Sequence, residues 1–357
     1  MEKPVFLRPI DTKIYKAYFK DPFLKPIEIR NKEDLKDLVS YLKSEGKNET
    51  AKEITQQWVN LHKQHFKINY KGKFLNLGTR TAIMGILNVT PDSFSDGGNF
   101  YKDVDRAVSR ASKMLEEGAD IIDIGGESTR PGAKQITQEE ELQRVIPVIK
   151  AIRKELGDNF LISVDTYKAP VAQASLDAGA DIVNDISGLS FDKNMPKVVA
   201  RYDCPVVINH IKGRPEDMQK GEIYYDDVVE EIINFLDTQI NYAKNYGIRE
   251  DRFIIDVGIG FGKKVEHNVE IIKRLEEFKI LGFPILIGIS RKSFIGTILK
   301  NLLSYLDIPS PKDRLFGGLG ATAIAVLNGA NIIRTHDVKE TREFLTMLDV
   351  IRGYKLV

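Results

Sequence analysis

The stretch Ala178-Gly-Ala-Asp-Ile-Val-Asn-Asp185 contains the pattern that decides the fold of this chain. Its alanine and glycine predict the end of a helix, because Gly179 can adopt the left-handed conformation that closes many helices. Asp181–Val183 then predicts a short buried β-strand, and the polar pair Asn184-Asp185 ends it. Helix, tight turn, apolar strand and polar strand end therefore follow one another within a few residues.

The same pattern recurs from about residue 80 onward. Amphipathic helices, for example Thr137–Leu156 and Tyr225–Tyr246, separate eight short apolar runs. The predicted strands are Ala82–Leu87, Asp120–Ile124, Phe160–Val164, Asp181–Val183, Pro205–Ile208, Phe253–Val257, Pro284–Ile289 and Asn331–Ile333. Apolar strands that alternate with helices predict a parallel sheet covered by helices. Eight such units favour a closed (β/α)8 TIM barrel over an open doubly wound sheet, whose Gly-x-Gly-x-x-Gly sequence does not follow the first strand.

Composition excludes several classes of partner. The 357 residues carry a formal net charge of +1, so no global field would attract nucleic acid or an anionic membrane. The single cysteine, Cys204, excludes an internal disulfide. The first residues lack the apolar run of a signal peptide, and no run of about 18 apolar residues occurs in the chain. These features predict a soluble cytoplasmic protein.

Residues 1–65 differ from the rest and predict a helical extension of unknown role before a barrel of residues 66–357. Asn31 is expected to cap one helix, and Thr50 with Glu53 is expected to form a capping box for a second. Phe66–Tyr70 and Phe74–Leu77 then predict a β-hairpin, which would close the floor of the barrel.

Polar residues follow every predicted strand, at the end where barrel enzymes place their chemistry. The strand ends carry Asn88, Asp123, Asp165, Asn184, Asn209-His210, Asp256, Ser290-Arg-Lys-Ser293 and Arg334-Thr-His-Asp337. Each group alone has an ordinary explanation, such as a helix cap or a structural histidine. Because all eight strand ends carry polar residues, they are expected to form one polar site.

The types of side chain at these ends limit the chemistry. A His-Glu-x-x-His helix and a Gly-x-Ser-x-Gly elbow are both absent from the sequence. Two aspartates and an asparagine, Asp165, Asp256 and Asn184, offer acceptors and donors to a flat polar heterocycle. Positive charge for a phosphate or carboxylate is expected from Arg291, Lys292, Arg334 and His336.

The loops at these ends resemble those of the dihydropteroate synthase family. The similar segments are Asn88–Gly98, Gly125–Gly132, Ser163–Thr166, Asn184–Gly188, Gly258–Lys263, Ser290–Ser293 and Arg334–Val338, in the family's order and within residues 66–357. The resemblance implies a transferase that condenses 6-hydroxymethyl-7,8-dihydropterin diphosphate with p-aminobenzoate to give dihydropteroate and diphosphate. It also implies Mg²⁺ as cofactor and a homodimer that forms through the late helices.

The resemblance also assigns a role to individual residues. Asn88 would hold Mg²⁺ against the diphosphate, and Val89–Gly98, which includes the substrate contact Phe94, would form a mobile lid. The pterin would contact Asp165, Asn184, Asp256 and Lys292, and the diphosphate would contact Arg334 and His336. The carboxylate of p-aminobenzoate would contact Ser290 and Arg291, under a second lid that contains Thr129, Arg130 and Pro131. Breakage of the bond to diphosphate would run ahead of attack by the amine.

Two positions depart from the family pattern, and two other functions share the barrel. Val257 stands where the family has proline, and Ile211 lies where the family has methionine. A pterin-dependent corrinoid methyltransferase module would keep the pterin contacts but would not need a metal at Asn88, the segment Ser290–Ser293 or the two lids. A non-catalytic pterin-binding paralogue is the other alternative.

Overall fold

Eight parallel strands close into a barrel in the computed structural model of the chain. The structure describes residues 2–11, 13–90, 100–130 and 132–354, and for residues 100–102 it describes the backbone alone. The barrel strands are β6 (Ala82–Asn88), β7 (Ile121–Gly125), β8 (Leu161–Asp165), β9 (Ile182–Asp185), β10 (Val206–Asn209), β11 (Phe253–Asp256), β12 (Ile285–Ile287) and β13 (Ile332–Thr335). Ile333 of β13 pairs with Ile83 of β6, so the last strand closes on the first. The predicted (β/α)8 barrel is confirmed.

Helices cover the outside of the barrel. They are α3 (Phe100–Glu116), α4 (Gln138–Leu156), α5 (Ala169–Ala178), α6 (Met195–Tyr202), α7 (Val228–Lys244), α8 (Val265–Lys273), α9 (Ser293–Leu303), α10 (Leu315–Leu327) and α11 (Val338–Ile351). Short 3-10 helices occupy Glu250–Arg252, Leu275–Leu281 and Lys312–Arg314. The helix α7 begins later than the predicted Tyr225, because Asp227 caps it by accepting the amides of Val229 and Glu230. No helix among the described residues has the length and the apolar character needed to cross a membrane.

Side chains inside the barrel change from apolar to polar along its axis. Successive residues of a strand point to opposite faces, so every second residue faces the interior. At the lower end the inward side chains are buried and apolar: Met84, Ile121, Leu161, Ile182, Val207, Ile254, Leu286 and Ile332. Two residues further along the same strands stand Asp123, Ser163, Asn184, Asn209, Asp256 and Arg334. The barrel therefore has a dry base and a polar upper interior.

A two-stranded hairpin closes the base, as predicted. Its strands are β4 (Phe66–Tyr70) and β5 (Lys73–Leu77), joined by Lys71-Gly72, where both residues have positive φ angles. Ile68 and Leu77 are 3% and 1% exposed and belong to the same apolar cluster as the lower barrel interior. The hairpin thus acts as the floor of the barrel.

The N-terminal extension contains a sheet as well as the predicted helices. Its strands β1 (Val5–Asp11), β2 (Ile14–Phe19) and β3 (Ile27–Ile29) form an antiparallel sheet, and α1 (Lys32–Ser44) and α2 (Asn48–Leu61) follow. Asn31 caps α1 by accepting the amides of Glu33 and Asp34, as predicted. The expected capping box at Thr50 is wrong, because α2 begins at Asn48 and has no side-chain cap.

The extension packs against α7 and the 3-10 helix Leu275–Leu281. Its buried residues, such as Phe6 and Ile54, belong to the main core that surrounds the barrel. Asn60 Nδ2 donates to the carbonyl of Ile280 at 2.7 Å, and Lys63 Nζ donates to the carbonyl of Gly282 at 3.0 Å. A Cβ atom on Gly282 would lie 2.7 Å from the Asn60 side chain, so this contact requires glycine.

Candidate active site

The centre of the candidate site is Arg334 at the end of β13. Its guanidinium bonds to carboxylates at the ends of β7 and β8. Nε donates to Asp123 Oδ2 at 2.7 Å, and Nη2 donates to Asp165 Oδ2 at 2.5 Å. Asn184 Nδ2 also donates to Asp123 Oδ2, at 3.2 Å. Burial opposes the charge of Arg334, but the two carboxylates raise its pKa above the ordinary value. Residues far apart in sequence therefore share one charged network.

Two carboxylate oxygens in this network are buried without a hydrogen-bond partner among the described residues. These atoms are Oδ1 of Asp123 and Oδ1 of Asp165, and the two residues are 0% and 8% exposed. Burial raises the pKa of Asp165 to about 7, although Arg334 opposes the shift. Buried acceptors in proteins nearly always have donors, so the free oxygen of Asp165 favours a ligand that supplies N–H groups.

Asp256 and Lys292 lie at the same cup. Asp256 is buried and accepts the amide of Gly258 at 2.8 Å, and burial raises its pKa. Burial and nearby Arg334 lower the pKa of Lys292 to about 8, whereas Asp256 and Asp165 oppose this shift. The four predicted catalytic residues therefore lie close enough to influence one another's charge.

The absence of a side chain at Gly260 leaves room for the side chain of Lys292 beside the loop that follows β11. The lysine Nζ lies 4.3 Å from the centroid of the Phe261 ring. A Cβ atom on Gly260 would lie 3.3 Å from Lys292 Cδ. The glycine-rich loop thus makes a narrow channel for the lysine stem.

Apolar side chains form one wall above the cup. Tyr167, Ile186, Ile211, Met218 and Phe261 make a buried cluster separate from the main core. Ile211, one of the two positions that depart from the family pattern, is 7% exposed within it. This wall could pack against a flat ring without forming hydrogen bonds.

Ser290, Arg291 and His336 form a second group beside the cup. The Arg291 guanidinium is paired with Asp337, with Nη2 to Oδ1 at 2.5 Å, and Ser290 Oγ lies 3.1 Å from His336 Nδ1. Burial, together with Arg291 and Arg334, lowers the pKa of His336 to about 3. This shift favours the neutral imidazole near pH 7, so the positive charge expected on His336 stays a prediction for the ligand-bound site.

The two predicted lids are described only in part. Phe94 and Pro131 lie outside the described residues. Thr129 is half-buried and Arg130 is exposed, and Arg130 contributes to the lowered pKa of His336, which places the second loop beside that histidine. The amide of Gly132 donates to the carbonyl of Pro215 at 3.0 Å, so the second loop contacts the loop after β10.

A buried ion cluster holds the base of the second loop, and sequence reasoning missed it. Lys168 Nζ bonds to Glu127 Oε2 and Glu141 Oε2, the latter at 2.6 Å, and Tyr167 Oη donates to Glu127 Oε1 at 2.9 Å. Burial opposes ionisation of Lys168, but the two glutamates raise its pKa. The only sequence signal was a glutamate directly after paired glycines, which a turn also explains.

Asn88 stands at the end of β6, close to Asp165. An atom placed at the Cβ position of Gly125 would lie 3.8 Å from Asn88 Oδ1 and 3.7 Å from Asp165 Oδ2. Any larger residue at position 125 would fill the space between the two side chains. Among the described residues no group of three or more histidine, cysteine or acidic side chains forms a metal cage.

A closed parallel barrel with a polar cup of this composition belongs to the class of pterin-binding barrel enzymes. The profile of the family described as "Pterin binding enzyme" matches residues 84–336. The dihydropteroate synthase of Synechocystis sp. is 45% identical over 274 residues, which cover 77% of this chain and 91% of the relative. That of Clostridium beijerinckii is 45% identical and covers 78% and 97%.

Solved structures give the same result. The dihydropteroate synthase of Clostridium difficile, crystallised in the presence of pteroic acid, is 46% identical with a TM-score of 0.71, over 78% of this chain and 99% of that one. The enzyme of Xanthomonas albilineans with 4-aminobenzoic acid is 39% identical with a TM-score of 0.73, over 81% and 99%. This chain belongs to the dihydropteroate synthase family and is a transferase of folate synthesis.

Proposed function

We propose that the cup around Arg334 binds the pterin diphosphate and that p-aminobenzoate reacts above it. The observation that carries this assignment is the buried Asp165 carboxylate beside Arg334, whose Oδ1 has no hydrogen-bond partner among the described residues. A pterin ring edge supplies N–H and NH₂ donors, and a carboxylate that accepts two such bonds discriminates by about 1–3 kcal/mol, by analogy with base-edge recognition. Asp165, Asn184 and Asp256 would accept these donors, with Lys292 on the oxygen side of the ring.

The apolar wall supports the same orientation of the pterin. Ile211 and Phe261 would pack on the ring face, which buries the heterocycle while its polar edge faces the aspartates. The exocyclic carbon would then point toward Arg334 and His336. A neutral His336 would act as a hydrogen-bonding group for diphosphate, and Arg334 would supply the charge.

We assign the p-aminobenzoate carboxylate to the region of Ser290, Arg291 and the start of α9. The first amides of a helix have no partner within the helix and favour anions. α9 starts at Ser293, and its N-cap residue Lys292 makes no side-chain cap bond. Thr129, Arg130 and Pro131 of the second loop, and Phe94 of the first, would then close over the substrates.

The residues at Asn88 fit a magnesium ion that is held mainly by substrate phosphates. Mg²⁺ keeps several waters and needs only one or two protein oxygens when phosphates complete its shell. The Asn88 carboxamide supplies one such oxygen, and the space that Gly125 leaves beside it gives room for more ligands. When bound, the ion would neutralise charge on the diphosphate.

The reaction would proceed by early loss of diphosphate. The C–O bond breaks with its electron pair going to diphosphate, whose charge Arg334 stabilises. The pterin ring spreads the positive charge left on the exocyclic carbon. The neutral aromatic amine then attacks that carbon and loses its proton to solvent. Positioning and fixed charges would supply most of the rate enhancement, since no strong base is required.

We also propose that the protein is a homodimer through the late helices. An apolar groove of about 470 Å³ lies between α8, α9 and α10 and is lined by Ile272, Phe294, Ile298 and Ile324. Phe316, which precedes the groove residue Gly317, is 85% exposed. Exposed apolar surface of this extent commonly marks a protein contact.

The purified protein with both substrates and Mg²⁺ tests the assignment directly. We expect diphosphate release that depends on both substrates, together with formation of dihydropteroate. Arg334→Met should abolish the reaction, and Lys197→Ala, which changes an exposed lysine on α6, should not. Pterin binding without diphosphate release would contradict the proposal and favour a non-catalytic protein.

A further inference from the structure

Asp123 contacts two side chains of the proposed site, Arg334 and Asn184. Its side chain is fully buried, and its Oδ2 atom accepts from both Arg334 Nε and Asn184 Nδ2. It stands in the upper interior of the barrel, directly above the apolar layer that contains Ile121. A carboxylate at this depth is expensive to bury unless it is paired, and such pairs are weak evidence for stability. A role in arranging its neighbours is therefore the better explanation.

The contact with Asn184 decides which end of that amide is free. Because Nδ2 points to Asp123, the carbonyl oxygen Oδ1 is turned away from it. Within the described part of the chain, no donor bonds to this oxygen. Asn184 therefore offers an acceptor, and the heterocycle must supply a donor.

The contact with Arg334 fixes the plane of the guanidinium in the same way. Asp123 binds Nε and Asp165 binds Nη2, which leaves Nη1 without a hydrogen bond to any described residue. A guanidinium held on two sides presents its remaining donors in one direction. That direction is available to the leaving anion.

We propose that Asp123 is a positioning residue, which orients the Asn184 carbonyl toward the pterin and the Arg334 guanidinium toward the diphosphate. This inference rests on the proposed function of the cup. Asp123 acts on both parts of one substrate through two different neighbours, and it need not contact that substrate itself.

The test compares Asp123→Asn with Ser163→Ala. The first variant keeps the shape of the side chain and removes its charge. The second changes an equally buried residue that pairs with Asp123 on the neighbouring strand and whose hydroxyl has no partner among the described residues. Binding of 6-hydroxymethylpterin and of inorganic diphosphate is measured by calorimetry for each protein. Thermal unfolding shows that each variant folds, and Asp123→Ser serves as a second uncharged variant.

We expect Asp123→Asn to weaken both ligands by about 10-fold or more, and Ser163→Ala to change them by less than about 2-fold. The KM for p-aminobenzoate should stay within about 2-fold, because the proposed contacts of that substrate do not involve Asp123. In an Arg334→Met background the effect of Asp123→Asn on diphosphate should disappear, and in an Asn184→Ala background its effect on the pterin should disappear.

Additive losses in both backgrounds would overturn the inference, because they would indicate general damage to the barrel. An equal loss in Ser163→Ala, or unchanged binding in Asp123→Asn, would overturn it as well. If the unmodified protein bound neither ligand, the proposed function itself would fail, and the inference with it.

Discussion

The charge of Asp165 should depend on pH near neutrality. Burial raises its pKa from 3.8 to about 7, so the carboxyl is protonated below pH 7 and ionised above it. Only the ionised form offers both oxygens to pterin donors. We therefore expect affinity for 6-hydroxymethylpterin to rise as the pH increases through 7, and calorimetry between pH 5.5 and about 8.5 measures it.

The same shift predicts an opposite trend for stability. Between pH 3.8 and about 7 the folded protein binds a proton at Asp165 that the unfolded chain has lost, so stability falls as the pH rises through this range. Asp165→Asn should remove both trends. A variant that keeps the pH dependence of pterin binding would show that another group is responsible.

Lys292 should matter more for turnover than for folding. Burial lowers the pKa of Lys292, which means that burying its charged form costs free energy of folding. Its removal should therefore not destabilise the protein strongly. We expect Lys292→Ala to lower kcat/KM by about 100-fold, as for loss of other fixed charges at reacting groups, with a small change in Tm. Lys197→Ala is the control, and a Lys292 variant with full activity would remove this lysine from the site.

At the scale of residues, the sequence predicted where the site residues lie better than it predicted their ion pairs and pKa values. The alternation of strand residues was sufficient to bring Asp165, Asn184, Asp256 and Arg334 to one cup. It could not predict that Arg291 is paired with Asp337, or that burial lowers the pKa of His336. Those properties depend on neighbours from other loops, whose approach leaves no local pattern.

Among the helices, α1 offers a direct test of capping. Asn31 accepts two amides at 2.8 and 3.0 Å, whereas Thr50, which lies inside α2, caps nothing. We expect Asn31→Ala to lower the free energy of unfolding by about 1 kcal/mol, a typical value for a lost cap. Thr50→Ala should change it by less than about 0.5 kcal/mol in the same urea titration. Equal effects of the two substitutions would contradict the expectation that the Asn31 cap stabilises the protein.

The hairpin floor should contribute strongly to stability through one side chain. Ile68 fills the base of the barrel, and its truncation would leave a cavity that the surrounding strands cannot close. We expect Ile68→Ala to cost about 2–5 kcal/mol in unfolding free energy. Phe74→Ala, on the exposed face of the same hairpin, should cost much less, and chemical unfolding compares the two. A mild effect of Ile68→Ala would show that the floor is loosely packed.

At the scale of elements, the strands with a regular pattern of apolar residues were predicted from the sequence, and strands without such a pattern were missed. The barrel strands and the floor hairpin follow from apolar runs bounded by turn residues. The strands β1 and β2 were missed because their buried residues do not alternate: Val5–Leu7 are consecutive, and Ala17 is the only fully buried residue of β2. The burial of β1 comes from contact with α2 and with the 3-10 helix Leu275–Leu281, which no local sequence pattern encodes.

For the whole molecule, the proposed dimer predicts a difference between two exposed phenylalanines. Phe316 on α10 and Phe23 in the extension are 85% and 92% exposed, but only Phe316 adjoins a residue that lines the apolar groove, Gly317. We expect Phe316→Asp to convert a dimer into a monomer, because a buried charge opposes association. Phe23→Asp should leave the mass in solution unchanged. Light scattering measures both, and a monomeric unmodified protein would contradict the proposal.

The attachment of the extension has a consequence for protein engineering. Asn60 and Lys63 bind main-chain carbonyls of the barrel, and their close approach depends on the missing side chain of Gly282. Because these hydrogen bonds are made to main-chain carbonyls, they do not depend on which side chains the barrel carries at those positions. We expect that a shorter homologue could accept residues 1–65 as a transplanted module if it has glycine at this point and acidic partners for Lys3 and Arg8.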